Sequence, residues 1–288
     1  MKLLLILSGK GGTGKTTLAG ALIQIYNAKA YADCDVDAPN LHLIAKQTES
    51  PVRSDYYGME KAVIHPDLCV SCGACAEHCR FGAVLTEPDY HIDPIACEGC
   101  GVCSFVCPVS AVSMEEDIAG ELFLYCNDHV FSDAVLKMGR GTSGKLVTQV
   151  KQNLTANASD APLAILDGSP GIGCPVIASV SGVSYVLIVT EPTLSGMSDL
   201  TRLMKTLHQF GAPHAVCVNK ADLNDEISHT IELYCTENGI PFLGTIPYDP
   251  QAVKLVNEGK SILHSDSPSA DAIRRIALHL NILMEQEA

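Results

Sequence analysis

Hydrophobic and polar positions follow two rhythms along the chain. Short apolar runs fall at residues 2–7, 29–34, 163–167, 185–190, 214–218 and 240–246, each stopping near Gly, Asp, Pro or Asn. Runs of that length without a polar face suit strands covered on both sides, as in a parallel sheet. Between several of them lie longer stretches with apolar residues at helical spacing, such as 18–25 and 200–210. Strand alternating with helix predicts an α/β fold on a doubly wound, mostly parallel sheet. Residues 59–118 break the rhythm, with eight cysteines, frequent Gly and Pro and no long helical pattern. Two domains are therefore expected: a discontinuous one over 1–58 and 119–288, and a small α+β insert over 59–118.

Composition narrows the function classes. Of the 288 residues 47% are hydrophobic and 18% charged, as in globular proteins, and the formal charge of -14 opposes loose binding to nucleic acid or to an anionic membrane surface. The opening "MKLLLILSG" has an apolar run only from Leu3 to Leu7, too short for a signal-peptide core, and no segment reaches the ~18 apolar residues of a membrane span. A cytoplasmic location is expected. Thirteen cysteines in that compartment point to metal or cluster ligation rather than to disulfides.

The insert contains a repeat. "CVSCGACAEHCRFGAV" from Cys69 returns as "CEGCGVCSFVCPVSAV" from Cys97, every cysteine displaced by 28 residues and Pro66 matched by Pro94. Each copy is CxxCxxCxxxC, a spacing that lets three thiolates grip one iron–sulfur cube while the fourth reaches a second. The segment resembles bacterial two-cluster 4Fe-4S ferredoxins over its whole length. By their ligand rule one cluster takes Cys69, Cys72, Cys75 and Cys107, and the other Cys97, Cys100, Cys103 and Cys79. The alternative is a pair of zinc sites, although zinc needs two cysteine pairs per ion and each repeat offers four cysteines. Arg80 departs from the second copy, which has Pro108 there, and is read as a solvated side chain, with raising that cluster's potential or receiving a docking partner as the alternatives.

"SGKGGTGKTT" at residues 8–17 follows the first apolar run and precedes a helical one. Gly9, Gly14, Lys15 and Thr16 complete GxxxxGK[ST], in which backbone N–H groups wrap phosphates, the lysine reaches the β and γ phosphates and the hydroxyl binds Mg2+. The nucleotide-binding set is thus Gly11, Gly12, Thr13, Gly14, Lys15, Thr16 and Thr17. With its additional lysine, Lys10, this stretch resembles the deviant Walker A motif of the MinD, Mrp and nitrogenase iron protein group. The resemblance implies a dimer with two facing ATP sites, in which Lys10 contacts the phosphates bound by the partner. "ADCDVDAPN" resembles the first switch, implying that Asp35, with Asp37 as the alternative, orients the attacking water. "AILDGSPGIG" resembles the second, implying that Asp167 holds Mg2+ through water and that Gly171 lets an N–H approach the γ phosphate. "CVNKAD" and "TIPYDP" resemble the base-binding strands, with Asn219 facing the purine and Pro247 to Asp249 forming part of the wall. NKAD also fits the guanine-reading NKxD pattern, which makes GTP the alternative; the resemblance carried by Lys10 is to an adenine-using group and implies ATP.

The closest resemblance, over nearly the whole chain, is to MinD-superfamily ATPases with an inserted ferredoxin domain. Two functions follow as expectations: ATP-driven electron transfer to a redox partner, which two complete four-thiol sets favour, or cluster carriage to an acceptor protein, as in Mrp. Outside the repeats, Cys34, Cys217 and Cys235 are expected in the core, and Cys126 has no assigned place. Cys174 follows Asp167 by seven residues, the offset of a cluster-bridging cysteine in the iron protein. The companion cysteine of that protein would fall where Lys137 and Met138 stand. The last helix, about 270–285, is expected to pack on the sheet rather than bind a membrane.

Overall fold

The computed structural model describes residues 1–45 and 47–286. The elements in chain order are β1 (Lys2–Ser8), α1 (Lys15–Ile25), β2 (Ala30–Asp33), β3 (Val52–Tyr57), β4 (Lys61–Ile64), α2 (Ala74–His78), β5 (Val84–Leu85), β6 (His91–Ile92), α3 (Val102–Val106), β7 (Val112–Glu115), β8 (Ile118–Cys126), β9 (Val130–Leu136), α4 (Ser143–Asn157), β10 (Leu163–Pro170), α5 (Cys174–Val180), β11 (Tyr185–Thr190), α6 (Leu194–Phe210), β12 (His214–Asn219), α7 (Asp225–Glu237), β13 (Phe242–Ile246), α8 (Pro250–Asn257) and α9 (Pro268–Gln286). The principal sheet runs β13-β12-β11-β1-β10-β2-β9-β8-β3. Pairing is parallel from β13 through to β9.

All six expected strands are present, but this sheet has three more, β3, β8 and β9. In β3 and β9 the residues hide the signal. β3 (VRSDYY) buries only Tyr56, and β9 buries Ser132 and Asp133 among its apolar residues, so neither reads as an apolar run. Helix ends follow local chemistry. α6 starts where Thr193 accepts a hydrogen bond from the Gly196 N–H at 2.9 Å, and stops at left-handed Gly211 (φ 61). α9 buries Ile273, Ile276, Ala277, Leu280 and Met284 and meets β13, so it packs on the sheet. Among the described residues no helix is long and apolar enough to cross a membrane. Cys34, Cys217 and Cys235 are buried, and Cys126 is exposed at the end of β8.

The chain divides into two compact units. The larger comprises Met1–Arg53, Phe123–Ala134 and the chain from Gly144 onward; the smaller comprises Ser54–Leu122 and Val135–Ser143. The larger has its core where α1 and α9 cover one face of the sheet, from Leu4 and Ile6 through Leu22, Leu187 and Ile276. In the smaller, two ribbons, β4 with β7 and β5 with β6, flank α2 and α3. Residues 135–143 are fastened within this unit by Arg140, whose Nε lies 2.8 Å from the Asp117 carboxylate and whose Nη1 donates to Pro94 O at 2.6 Å.

Buried Asp133 makes stability depend on pH. Burial pushes its carboxyl up to about 7, against the pull of the Ala134 N–H. Because this folded pKa exceeds the ordinary carboxylate value, the native state binds more protons between about pH 4 and 7, and stability falls as pH rises through that window. Asp133→Asn should flatten this fall, raising the melting temperature at pH 8 more than at pH 5. Melting curves at the two pH values check it, and an equal shift at both would refute it.

Candidate functional site

Parallel strands deliver their C-terminal ends to one edge of the sheet, and the candidate site stands there. β1 ends at Ser8, the loop 9–14 turns back, and α1 begins at Lys15. Gly12 and Gly14 adopt φ of 78 and 90, which side chains resist, so this turn needs glycine at both positions. A cavity of about 720 Å3 opens against the loop, walled by Gly11 to Thr17, by Asp35 and Asp37, and by Asn219, Pro247, Tyr248 and Asp249. Lys10 and Asp167 are outside that wall.

Lys15 is buried, and its Nζ lies 2.7 Å from Asp167 Oδ1. Burial alone would lower the lysine's pKa, but the Asp167 charge and hydrogen bond outweigh it and the net shift is upward. The other Asp167 oxygen, Oδ2, is buried without a hydrogen-bond partner. An orphaned buried carboxylate oxygen is a ligand atom suited to a divalent cation. Asp35 is half-buried while Asp37 is exposed. Burial and the charges of Asp167 and Asp37, opposed by Lys15, push Asp35 up to about 6.

Asp33 was not singled out by sequence, yet it organises this edge. It is fully buried and accepts from the N–H groups of Asp35 (2.9 Å), Asn40 (2.8 Å) and Leu41 (2.9 Å), folding the 35–41 loop around itself. Burial and the charges of Asp167 and Asp133 raise its pKa strongly. The DxDxD spacing of 33–37 was the available signal, but it does not say which carboxylate turns inward.

Lys10 lies on its own chain's Glu191, Nζ to Oε2 3.0 Å, with Thr193 and Ser195 hydroxyls at 3.5 Å. The other Glu191 oxygen holds Lys220, whose Nζ also donates to Gly12 O at 2.9 Å. Burial would raise the Glu191 pKa, but the two lysines hold it below the ordinary carboxylate range. Asn219 braces the loop as well: its Nδ2 donates to Thr13 O at 2.7 Å and its Oδ1 accepts from Lys220 N at 2.9 Å. Asp249 caps α8 through the Gln251 N–H at 2.8 Å and accepts from Ser269 Oγ at 2.6 Å.

The cysteine repeat is a second candidate site, and its backbone is duplicated as closely as its sequence. Left-handed residues recur at 28-residue displacement: Ser71 and Gly99, Gly73 and Gly101, Gly82 and Ser110. So do hydrogen bonds to sulfur, from Ala83 N to Cys79 Sγ (3.4 Å) and from Ala111 N to Cys107 Sγ (3.2 Å). Cys69, Cys72, Cys75 and Cys107 line one small cavity; Cys97, Cys100, Cys103 and Cys79 line another. The remaining wall positions correspond too, Ile64 with Ile92, Tyr90 with Ala62, Val70 with Glu98 and Val109 with Phe81. Burial, with neighbouring thiolates adding to it, raises the pKa of Cys75 and of its counterpart Cys103. The buried apolar cluster that joins the two cavities is small: Ala62, Ile64, Cys75, Ala83, Cys97 and Val112. A core this small usually needs disulfides or metal to hold it, and all eight thiols are free. Among the described residues no three acidic, histidine or cysteine side chains meet the geometry for holding a single metal ion.

The family model of the CobQ/CobB/MinD/ParA nucleotide binding domain matches residues 4–262. The chain belongs to that family. As a member it is a P-loop ATPase of the MinD/ParA type. An uncharacterized protein of Methanocaldococcus jannaschii is 33% identical over 274 residues, 94% of this chain and 93% of that protein. An iron-sulfur cluster carrier protein of Pyrococcus furiosus is 25% identical over 151 residues, 46% of this chain and half of that protein. The fold is that of the septum site-determining protein MinD complexed with Mg-ADP from Pyrococcus horikoshii, with TM-score 0.60 and 17% identity over 100% of this chain and 98% of that one.

In this MinD/ParA-type domain the structure brings most of the expected nucleotide residues to one cavity. It keeps Lys10 on Glu191 and Asp167 on Lys15. Sequence reasoning missed Asp33, Glu191 and Lys220. Cys174 is exposed as the first residue of α5, with its backbone against Gly144. A Cβ on Gly14 would stand 2.3 Å from Asn219 Nδ2, in addition to the strain of φ 90. Gly14→Ala should therefore weaken nucleotide binding at least about tenfold, roughly 1.4 kcal/mol, with little change in far-UV circular dichroism. Equilibrium titration with a fluorescent nucleotide checks it, and unaltered affinity would show the loop to be more compliant than its packing indicates.

Proposed function

We propose that the chain is an ATPase in which nucleotide-dependent closure of a dimer, with a second copy or a similar subunit, is coupled to electron transfer through two 4Fe-4S clusters. The observation that carries this reading is the pair of matched cavities, each ringed by four free cysteines. Three thiols of each set come from one repeat and the fourth from the other, the exchange that a two-cluster unit requires. The clusters would be held by Cys69, Cys72, Cys75 and Cys107, and by Cys97, Cys100, Cys103 and Cys79. The group supplies one-electron chemistry, and the protein supplies the thiolates and the N–H groups on Cys79 and Cys107.

At the nucleotide, Lys15 neutralises phosphate charge and the backbone of Gly11 to Thr17 wraps it. Thr16 and Asp167 would hold Mg2+, the Asp167 Oδ2 that has no partner being the donor in place. ATP is favoured over GTP because Asp222, the acid of NKAD, accepts the Tyr248 N–H at 2.6 Å and is not in the cavity wall. Asp35 faces the cavity half-buried and orients the attacking water. Lys10 leaves Glu191 on closure and reaches the partner's nucleotide. A cluster carrier is the second reading, favoured by likeness to the Pyrococcus furiosus carrier over half that protein's length.

Protein prepared without oxygen should carry about eight irons per chain, and ATP should alter the electron paramagnetic resonance spectrum of at least one cluster. Tightly bound zinc with negligible iron would overturn the cluster reading. Transfer of iron to an apo-protein, with spectra indifferent to ATP, would establish the carrier instead.

Two sets of variants test the nucleotide chemistry. Asp35→Ala should bind ATP yet lose hydrolysis by about 10²-fold or more. In the unaltered protein the rate should fall as pH drops through about 6, where Asp35 takes up its proton; a rate independent of pH there moves the role elsewhere. Lys10→Ala should keep single-chain ATP affinity and lose ATP-induced dimerisation in light scattering. Lys15→Ala should lose binding itself, because a charged hydrogen bond contributes roughly 1.5–3 kcal/mol.

A further inference from the structure

The two cysteine cavities match in backbone and in position after position of their walls. A charge present at one and absent from the other is therefore no requirement of the duplicated fold. Lys61 is such a charge. It stands half-buried on β4, and its Nζ donates to the carbonyl oxygen of Cys97. Twenty-eight residues on, the matched position is Asp89, exposed and of opposite sign. Across the ribbon from Lys61 is Glu115, whose carboxylate accepts from Ser113 Oγ at 3.3 Å.

We propose that Lys61 makes the two cluster sites unequal, giving a 4Fe-4S cluster held by Cys97, Cys100, Cys103 and Cys79 a higher reduction potential than its twin. The inference rests on the reading that cubes occupy these cavities. Taking up an electron adds one negative charge to a cluster, and a cation at close range stabilises that state. Glu98 opposes the effect, since it is in the wall of the same cavity where the other cavity has Val70. Glu98 is exposed, however, so water and salt screen its charge, whereas Lys61 is half-buried and bonded directly to a ligand residue. Arg80, which follows Cys79 where the other half has Pro108, has the same sign as Lys61 but is exposed, so its charge is screened as that of Glu98 is and its effect is smaller. The first electron accepted from a one-electron donor protein accordingly settles on the Cys97 set, which gives the relay a direction.

The test is a redox titration of the anaerobically reconstituted full chain, followed by electron paramagnetic resonance, with iron measured in every sample. The unaltered chain should show two midpoints. Lys61→Met should lower the upper midpoint and leave the lower in place, and Lys61→Arg, which keeps the charge, should leave both unshifted. Arg80→Pro, which copies the other half, is an independent second variant and should shift the upper midpoint in the same direction by less. A fully loaded chain with coincident midpoints overturns this inference alone, as does a Lys61→Met shift of neither midpoint or of both equally. A chain that takes up no iron overturns the cluster reading and this inference with it.

Discussion

One ammonium, Lys15 Nζ, stands among the carboxylates that the parallel sheet gathers at its C-terminal edge. β10 delivers Asp167 and β2 delivers Asp33, neighbours in register on adjacent strands and both without solvent. Two such carboxylates cannot both be charged in a dry interior without a cation, and Lys15 at 2.7 Å is the cation in reach. Removing one partner of such a pair costs about 3–5 kcal/mol. The same contact links fold to function. In the proposed function a phosphate at the loop would compete with Asp167 for Lys15, and a cation would meet the oxygen that Asp167 leaves unpaired. The glycine-rich loop is thus coupled through one charge, Lys15, to the aspartates of both acidic segments, Asp33 and Asp35 on one side and Asp167 on the other.

The second constraint is the poverty of the apolar cluster around the cysteine cavities. Its six buried residues, two of them cysteines, cannot supply much hydrophobic stabilisation, and six more cysteines stand around them half-buried or exposed. Duplication answers the geometric part of the problem. Each half presents the same ribbon, the same five-residue helix and the same left-handed turns, so each half completes the cavity of the other with its fourth cysteine. Departures from that symmetry carry the information. Val70 against Glu98 and Lys61 against Asp89 distinguish two sites that the backbone makes alike.

Legibility tracked distance along the chain. The loop 9–17 could be read because its glycines, lysine and hydroxyl act on a ligand through their own local backbone, so the pattern is complete within nine residues. Which cysteines line a common cavity followed for a related reason, since the 28-residue repeat states its own symmetry. The six buried strands announced themselves as apolar runs. β3 did not, because it lies at the sheet edge with every residue but Tyr56 exposed, and β9 did not, because it places Ser132 and Asp133 inside the fold; β8, between them, does carry an apolar stretch, 122–126, behind Glu121.

What tertiary structure alone decided is where charges find their partners. Lys10 reaches Glu191, Lys15 reaches Asp167 and Asn219 reaches Thr13, contacts separated by 150 or more residues in sequence. A side chain's sign and reach are written in the sequence, but its partner is whichever opposite group the sheet order brings within about 3 Å. That order places β1 between β10 and β11 and β2 beside β10. Asp33 shows the difference most plainly: in sequence it is one of three evenly spaced aspartates, and only the fold turns it inward to hold three N–H groups while Asp37 stays in water. The sequence by itself determined the phosphate-loop motif and the cysteine spacing, because each is written in adjacent residues; the fold decided which side chains meet around them, because burial and pairing are properties of neighbours that the chain brings together from afar.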